Sequence, residues 1–260
     1  MNISSMFDKN EKPLDSLVSD GGFCGIFRTV ACVGDSLSSG EFERITDGVR
    51  SYHDMYDYSW GQFFARMSGN KVYNFSKGGM TAKVYCDSFA EDRGFWDKEK
   101  ASQAYIIAMG VNDVTRVLNG EYEFGDITDI DLDNCNNNKD TFVGHYAKII
   151  QRYKEIEPDA FFFLMTMPRG NCGEDRKAYY DRHRELMYKL EKFFSNVFVL
   201  DFRKYAPEYD TEFRNNFFLE GHMAPTGYLL TGKMVASYID YIIRHNMPIF
   251  KKVGFIGSGI

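Results

Sequence analysis

The chain lacks a surplus of positive charge, a long apolar run, a paired-cysteine motif and a phosphate-binding glycine loop, and each absence removes a class of function. Lysine and arginine number 31 against 37 aspartate and glutamate, giving a formal net charge of −6. Nucleic-acid-binding domains usually carry the opposite balance, so a nucleic-acid partner is not expected. No segment approaches the roughly 20 apolar residues of a transmembrane helix, so no membrane span is expected. The N-terminus, MNISSMFDKNEKPLDS, carries acids and has no apolar centre. It does not read as a secretory signal, and a cytoplasmic location is the expectation. The five cysteines, Cys24, Cys32, Cys86, Cys135 and Cys172, are odd in number and never spaced CxxC. That pattern points to reduced thiols rather than a disulfide scaffold or a zinc knuckle. Neither GxGxxG nor GxxxxGK[ST] follows a strand, which speaks against a flavin or nucleotide binder. The DxDxDN run from Asp129 to Asn134 would need Gly sixth and Glu twelfth to hold calcium in an EF-hand loop. Asn134 and Asp140 stand there, so a solvated loop is the plainer reading.

What is present is ample core material. Aromatic residues make up 16% of the chain, including 23 Phe and 17 Tyr. Short apolar, β-rich runs at 27–34 (FRTVACVG), 71–76 (KVYNFS), 103–110 (QAYIIAMG), 160–167 (AFFFLMTM) and 196–202 (NVFVLDF) predict buried parallel strands. Helical spacing lies between them, over 60–67, over 140–156 with Asp140 as its cap, over 174–194, and from Pro225 onward. Strand–helix alternation predicts an α/β chain, a three-layer α/β/α sandwich around a flavodoxin-like five-stranded parallel sheet. There is no internal repeat and no Pro/Gly/Ser linker. The acidic, Asn-rich stretch 119–139 reads as a loop insertion.

In open parallel sheets, ligands bind beyond the carboxyl ends of the strands. The first expected strand ends in Gly34-Asp35-Ser36-Leu37, the second in Ser76-Lys77-Gly78-Gly79-Met80-Thr81, the third in Gly110-Val111-Asn112-Asp113. Glu220-Gly221-His222 comes just before the last helix. Together they offer a hydroxyl, a small-residue turn with free N–H groups, a carboxamide and an imidazole. A serine hydroxyl needs an imidazole to take its proton, and an acyl-transfer oxyanion needs preorganised donors. Ser36 is thus the candidate nucleophile and His222 its base. The N–H groups of Gly79 and Ser36 and the amide of Asn112 are the candidate oxyanion donors. Asp35 and Asp113 read as supports. Arg169, after the fourth strand, is a candidate for a substrate carboxylate or sugar hydroxyl. Lys77, Lys83 and Tyr85 are further candidates for the cleft wall. The other histidines, His53, His145, His183 and His245, sit in no comparable motif.

The four blocks, in this order and spacing, resemble the SGNH (GDSL-type) hydrolases, whose Ser, Gly, Asn and His would map onto Ser36, Gly79, Asn112 and His222. The resemblance spans roughly residues 27–243 and implies esterase, lipase, thioesterase or carbohydrate-deacetylase activity without metal or organic cofactor. It divides the chain into an N-terminal extension (1–26), a hydrolase-like domain (27–246) and a C-terminal tail (247–260). The expected partner is a small-molecule or polysaccharide ester, with a lean toward small acyl groups on carbohydrates. One position departs from the pattern. The family usually has Asp three residues before the histidine, and here that place holds Leu219. Glu220, a main-chain carbonyl or a distant acid is then left to orient His222. A member of the same fold that binds without catalysing is the competing reading.

Overall fold

The computed structural model describes residues 7–170 and 172–258. Among these the strands are β1 (Thr29–Gly34), β2 (Glu41–Thr46), β3 (Val49–Asp54), β4 (Lys71–Ser76), β5 (Ala104–Ala108), β6 (Phe161–Met165), β7 (Val197–Leu200), β8 (Phe218–Leu219) and β9 (His222–Met223). Alternation along the central strands sets the architecture. Val30 and Cys32 of β1, Ile106 of β5 and Phe161 and Phe163 of β6 enter one apolar layer. Ala31, Val33, Tyr105, Ile107, Phe162 and Leu164 enter a second. Successive strand side chains leave on opposite faces, so a strand apolar throughout is covered on both. The helices α2 (Trp60–Ser68) and Pro225–His245 close the first layer, and Phe142–Ile156 and Glu174–Phe193 close the second.

The five parallel strands run in the order β4-β1-β5-β6-β7. Counted among themselves they stand 2-1-3-4-5, the flavodoxin-like order that the sequence predicts. The point where strand order reverses lies between β1 and β5, and both carry a motif at their carboxyl ends. Two local readings need correction. Thr141, not Asp140, caps the helix Phe142–Ile156, accepting the Gly144 N–H at 3.2 Å. Asp140 is instead held by Lys83 and by His145. The hairpin of β2 and β3 is also absent from the sequence reading. Its turn residues Asp47 and Gly48 have φ of 53° and 77°, the left-handed pair that a two-residue hairpin needs.

The segments outside the sheet are packed onto it. Val18 N–H donates to Ser237 Oγ at 2.9 Å, and Arg244 pairs with Glu11 at 2.6 Å, so the extension lies along the final helix. Phe250, Val253 and Ile256 of the tail are buried in the first layer. Residues 1–6 and 259–260 of the extension and tail fall outside the described residues. The 119–139 stretch is folded rather than loose. Asp129 accepts from Asp126 N–H at 3.0 Å and from the Thr141 hydroxyl at 3.1 Å, and pairs with Lys139 at 2.8 Å. Among the described residues no group of three or more His, Cys, Asp or Glu is arranged to hold a metal, and no helix is long and apolar enough to cross a membrane.

Two backbone features deliver the motifs. After β1, Asp35 caps the short helix α1 (Ser36–Ser39), accepting the Leu37 N–H at 3.1 Å from a buried position. Burial, with Asp113 and Glu41 nearby, pushes the Asp35 carboxyl up to about 7, against the pull of the Leu37 N–H. After β5, Gly110 has φ of 141°. A Cβ there would stand 2.5 Å from His183 Nε2, in a ring buried and held by the Met109 carbonyl at 3.1 Å. The helix Val111–Leu118 starts from this turn.

Gly110→Ala is therefore expected to lose at least about 1–3 kcal/mol from the backbone alone, read as a lowered urea midpoint. An unchanged midpoint would remove the argument. The Asp35 shift has a definite sign. A carboxyl raised in the folded state contributes stability that is complete below its unfolded value and lost as pH rises through about 7. Asp35→Asn removes that dependence. The stability advantage of the wild type over Asp35→Asn should thus shrink between pH 5 and pH 8 in urea melts, and a constant difference would refute the shift.

Candidate active site

Ser36 opens the single helical turn after β1, where the N–H groups of Ser38 and Ser39 bond back to the Asp35 carbonyl at 3.0 and 2.9 Å. β4 ends in a turn closed by Met80 N–H on the Lys77 carbonyl at 3.2 Å. Gly79 holds φ of 72° in that turn, a left-handed conformation that leaves its N–H unclaimed by strand pairing. Asn112 is the second residue of the helix after β5. Its Nδ2 donates to the Met80 carbonyl at 3.1 Å and lies 3.4 Å from Asp35 Oδ2, which ties three strand ends together. His222 stands on β9, just ahead of the last helix. Ser36, Gly79, Asn112 and His222 all line one open cleft of about 410 Å³, with Glu41, Tyr52, Asp54, Lys77 and Gly78.

Asp113 lies behind this cleft, not in it. It accepts the Ala82 N–H at 2.9 Å and the Tyr122 hydroxyl at 2.6 Å, fixing the β4 loop against the β5 helix. Burial pushes its carboxyl up to about 6, against the pull of those two donors. A fully buried acid with partners on two loops acts as a structural tie.

A third of the cleft-lining residues, Glu41, Tyr52 and Asp54, come from the hairpin. Met55 N–H donates to the Gly40 carbonyl at 3.0 Å, Ser39 Oγ to Asp54 Oδ1 at 2.7 Å, and the Tyr228 hydroxyl to the Glu41 carbonyl at 2.6 Å. These bonds fold β2 and β3 back over the Ser36 turn. Glu41 and Glu43 are two residues apart on one strand and so share a face. Both meet the imidazole. His222 Nδ1 lies 3.0 Å from Glu43 Oε2, and Nε2 lies 3.1 Å from Glu41 Oε1. Glu41 also presses on the β4 turn, since a Cβ on Gly78 would stand 2.3 Å from its Oε2. Tyr52 of β3 packs edge-on against His222, with ring centroids 5.7 Å apart.

The two carboxyls feel different surroundings. Burial pushes Glu41 up, and Asp54 and Glu43 add to this, while His222 pulls it down; the net shift is upward. For Glu43, burial also pushes up, but the bonds from His222 and Gly221 N–H and the charge of Arg50 outweigh it. Glu43 therefore lies below the usual glutamate range and is ionised at neutral pH.

Four sequence-based candidates lie elsewhere. Glu220 does not reach the imidazole. It occupies the exposed tip between β8 and β9 with φ of 51°, and its carbonyl accepts from Arg214 at 3.0 Å. A tip residue of so short a hairpin points out from the turn, while His222 turns back onto β2. Arg169 is exposed and lines a separate cleft with Asp181, Arg184, Arg203 and Lys204, beyond the end of β6. Tyr85 is buried in the second apolar layer, its hydroxyl bonded to that of Tyr153 at 2.6 Å. Lys83 pairs with Asp87 and Asp140 outside the cleft, whereas Lys77 does line it. Glu41, Glu43 and Tyr52 were missed altogether. The signal for them was Asp47-Gly48 between two β-rich runs, EFERIT and VRSYHD.

A larger open groove of about 690 Å³ lies along the hairpin between Phe42, Ile45, Met55, Phe218 and Leu219. It contains none of the four motif residues, so the smaller polar cleft is the candidate site.

Comparison with known proteins finds the same fold. Among solved structures, a family two carbohydrate esterase from Clostridium thermocellum in complex with cellohexaose is similar at TM-score 0.57 and 15% identity, over 85% of this chain and 65% of that one. A family 3 carbohydrate esterase from the same organism is similar at TM-score 0.54 and 15% identity, over 84% and 98%. A lipase/acylhydrolase from Enterococcus faecalis is similar at TM-score 0.50 and 15% identity, over 84% and 96%. No curated protein sequence matches. At such identities the likeness is one of fold. The sequence profile of the GDSL-like lipase/acylhydrolases matches residues 32–230, from inside β1 into the last helix, and the chain belongs to that family.

Proposed function

We propose that the chain hydrolyses carboxylic esters through an acyl-serine intermediate, with small acyl groups on carbohydrate as the substrate class. The observation that supports this is the meeting of Ser36, Gly79, Asn112 and His222 around one cleft. In this reading Ser36 Oγ attacks the ester carbonyl while His222 Nε2 takes its proton. Nε2 has to turn from Glu41 toward Ser36 for that step, a side-chain adjustment within the same cleft. The carbonyl oxygen becomes an oxyanion received by the N–H groups of Ser36 and Gly79 and by Asn112 Nδ2, which gives up its long 3.4 Å contact with Asp35 to do so. His222 then returns the proton to the leaving alcohol, and water attacks the acyl-serine by the same route. No metal or organic cofactor enters these steps.

The cleft wall supports a polar alcohol, and the small acyl group rests on the likeness to the carbohydrate esterases. Glu41, Asp54, Lys77 and Asn112 offer polar groups to the hydroxyls of the alcohol, and Tyr52, 53% exposed beside His222, offers a flat face to a sugar ring. The sugar-directed part rests also on analogy with the carbohydrate esterases of similar fold.

Hydrolysis of p-nitrophenyl acetate, butyrate and octanoate tests the reading. Ser36→Ala and His222→Ala should fall to the background rate, and Asn112→Ala should lose about 10²–10³-fold in kcat. Acetate should be preferred over octanoate, and acetate should be released from acetylated oligosaccharides. Failure of the wild type to exceed Ser36→Ala, together with no labelling of Ser36 by a serine-reactive phosphonate, would favour a binding protein on the same fold.

A further inference from the structure

We propose that Glu43, on the hairpin strand β2, is the positioning acid of His222, taking over the place that Leu219 leaves empty in the histidine block. This rests on the esterase reading above. Leu219 is apolar and 44% exposed, and cannot accept a proton or hydrogen bond at Nδ1. Glu43 can. Its Oε2 accepts from His222 Nδ1 at 3.0 Å and from the Gly221 N–H at 3.0 Å, so one oxygen fixes both the ring and the main chain beside it. The fit is tight, since a Cβ on Gly221 would stand 2.6 Å from that oxygen. The other oxygen faces Arg50 Nη1 of β3 at 2.9 Å. The Glu43 side chain is 1% exposed, and a buried carboxylate persists only with such partners.

The geometry separates the two glutamates. A carboxylate on Nδ1 holds the proton there and leaves the Nε2 lone pair for the serine, and it stabilises imidazolium once the proton arrives. A carboxylate on Nε2, where Glu41 stands, competes with the serine. Of the two, Glu43 is placed to orient the base. Glu41 on the same strand and Tyr52 on β3 also face the ring, and Asp54 lines the cleft beside them. Arg50 faces Glu43 itself.

The test compares wild type, Glu43→Gln, Glu43→Asp and Ser36→Ala in two readouts. The first is ester hydrolysis. Removing the charge from a triad acid costs up to about 10⁴-fold in kcat, so Glu43→Gln should lose about 10²–10⁴-fold in kcat with KM nearly unchanged. Glu43→Asp should recover part of the loss, which a purely structural residue would not predict. The second is the NMR signal of the His222 Nδ1 proton, identified by its loss in His222→Ala. It should lie downfield in the wild type and in Ser36→Ala, and disappear or move upfield in Glu43→Gln. If Glu43→Gln fails to fold, Glu43→Asp carries both readouts, with a reduced kcat and a shifted Nδ1 proton expected. A kcat for Glu43→Gln close to wild type with an unmoved Nδ1 proton would overturn the proposal. If the wild type shows no turnover above Ser36→Ala, the esterase reading fails, while the Nδ1 signal still decides whether Glu43 holds the ring.

Discussion

The hydrogen bond between His222 Nδ1 and Glu43 Oε2, 3.0 Å long, joins residues 179 positions apart in sequence, and the arrangement of the cleft depends on it. His222 sits on a two-residue strand whose turn is exposed to solvent. Nothing in so short an element fixes the direction of an imidazole. The hairpin does, because β2 places Glu43 and Glu41 on one face and sets them against the two ring nitrogens. The same hairpin supplies Tyr52 and Asp54 to the wall. Ser36, by contrast, is held by the sheet itself, through Asp35 and the turn that leaves β1. Ser36 and Glu43 thus come from neighbouring parts of the chain, and His222 is brought to them.

Parts of this were legible in the sequence for a physical reason. A parallel strand buried on both faces must be apolar along its length. The runs FRTVACVG, QAYIIAMG and AFFFLMTM announce β1, β5 and β6 without ambiguity. The places of Ser36 and Asn112 follow from the same rule, since each lies where such a strand stops, and Gly79 follows the edge strand β4. Ends were less legible than centres. The run 27–34 became Thr29–Gly34, and Asp140 lost the capping role to the residue after it. Adjacent Asp and Thr both offer oxygens to a helix start, and composition does not choose between them.

The hairpin was illegible for the opposite reason. Its strands are largely exposed, with only Glu43 buried along β2 and none along β3. Such strands show charges and tyrosines in place of an apolar alternation. The Asp47-Gly48 turn was the one sharp signal, and it lies just past the more conspicuous GDSL block. Of the three groups left open to orient His222, a neighbouring Glu220, a main-chain carbonyl and a distant acid, the first rested on taking a sequence neighbour for a spatial one. The fold breaks that assumption at this point. The β8–β9 tip turns Glu220 outward with positive φ, and the imidazole turns inward to a strand from the other end of the chain.

The position of Glu43 on an exposed hairpin has a consequence for the energetics of the site. Glu43 is buried and charged, with the His222 ring, the Gly221 N–H and Arg50 as its partners. A buried carboxylate stripped of such partners is costly, so β2, β9 and the Arg50 side chain stabilise one another or separate together. The bonds that hold the hairpin to the sheet, Met55 to Gly40, Ser39 to Asp54 and Tyr228 to Glu41, anchor both strands close to the Ser36 turn. The far end around Asp47 and Gly48 has no such anchors among the described residues and opens most readily. Glu43 lies between the anchored base and that far end, where its own bonds to β9 do part of the anchoring. The contact that orients His222 and the contact that seats the hairpin are one and the same.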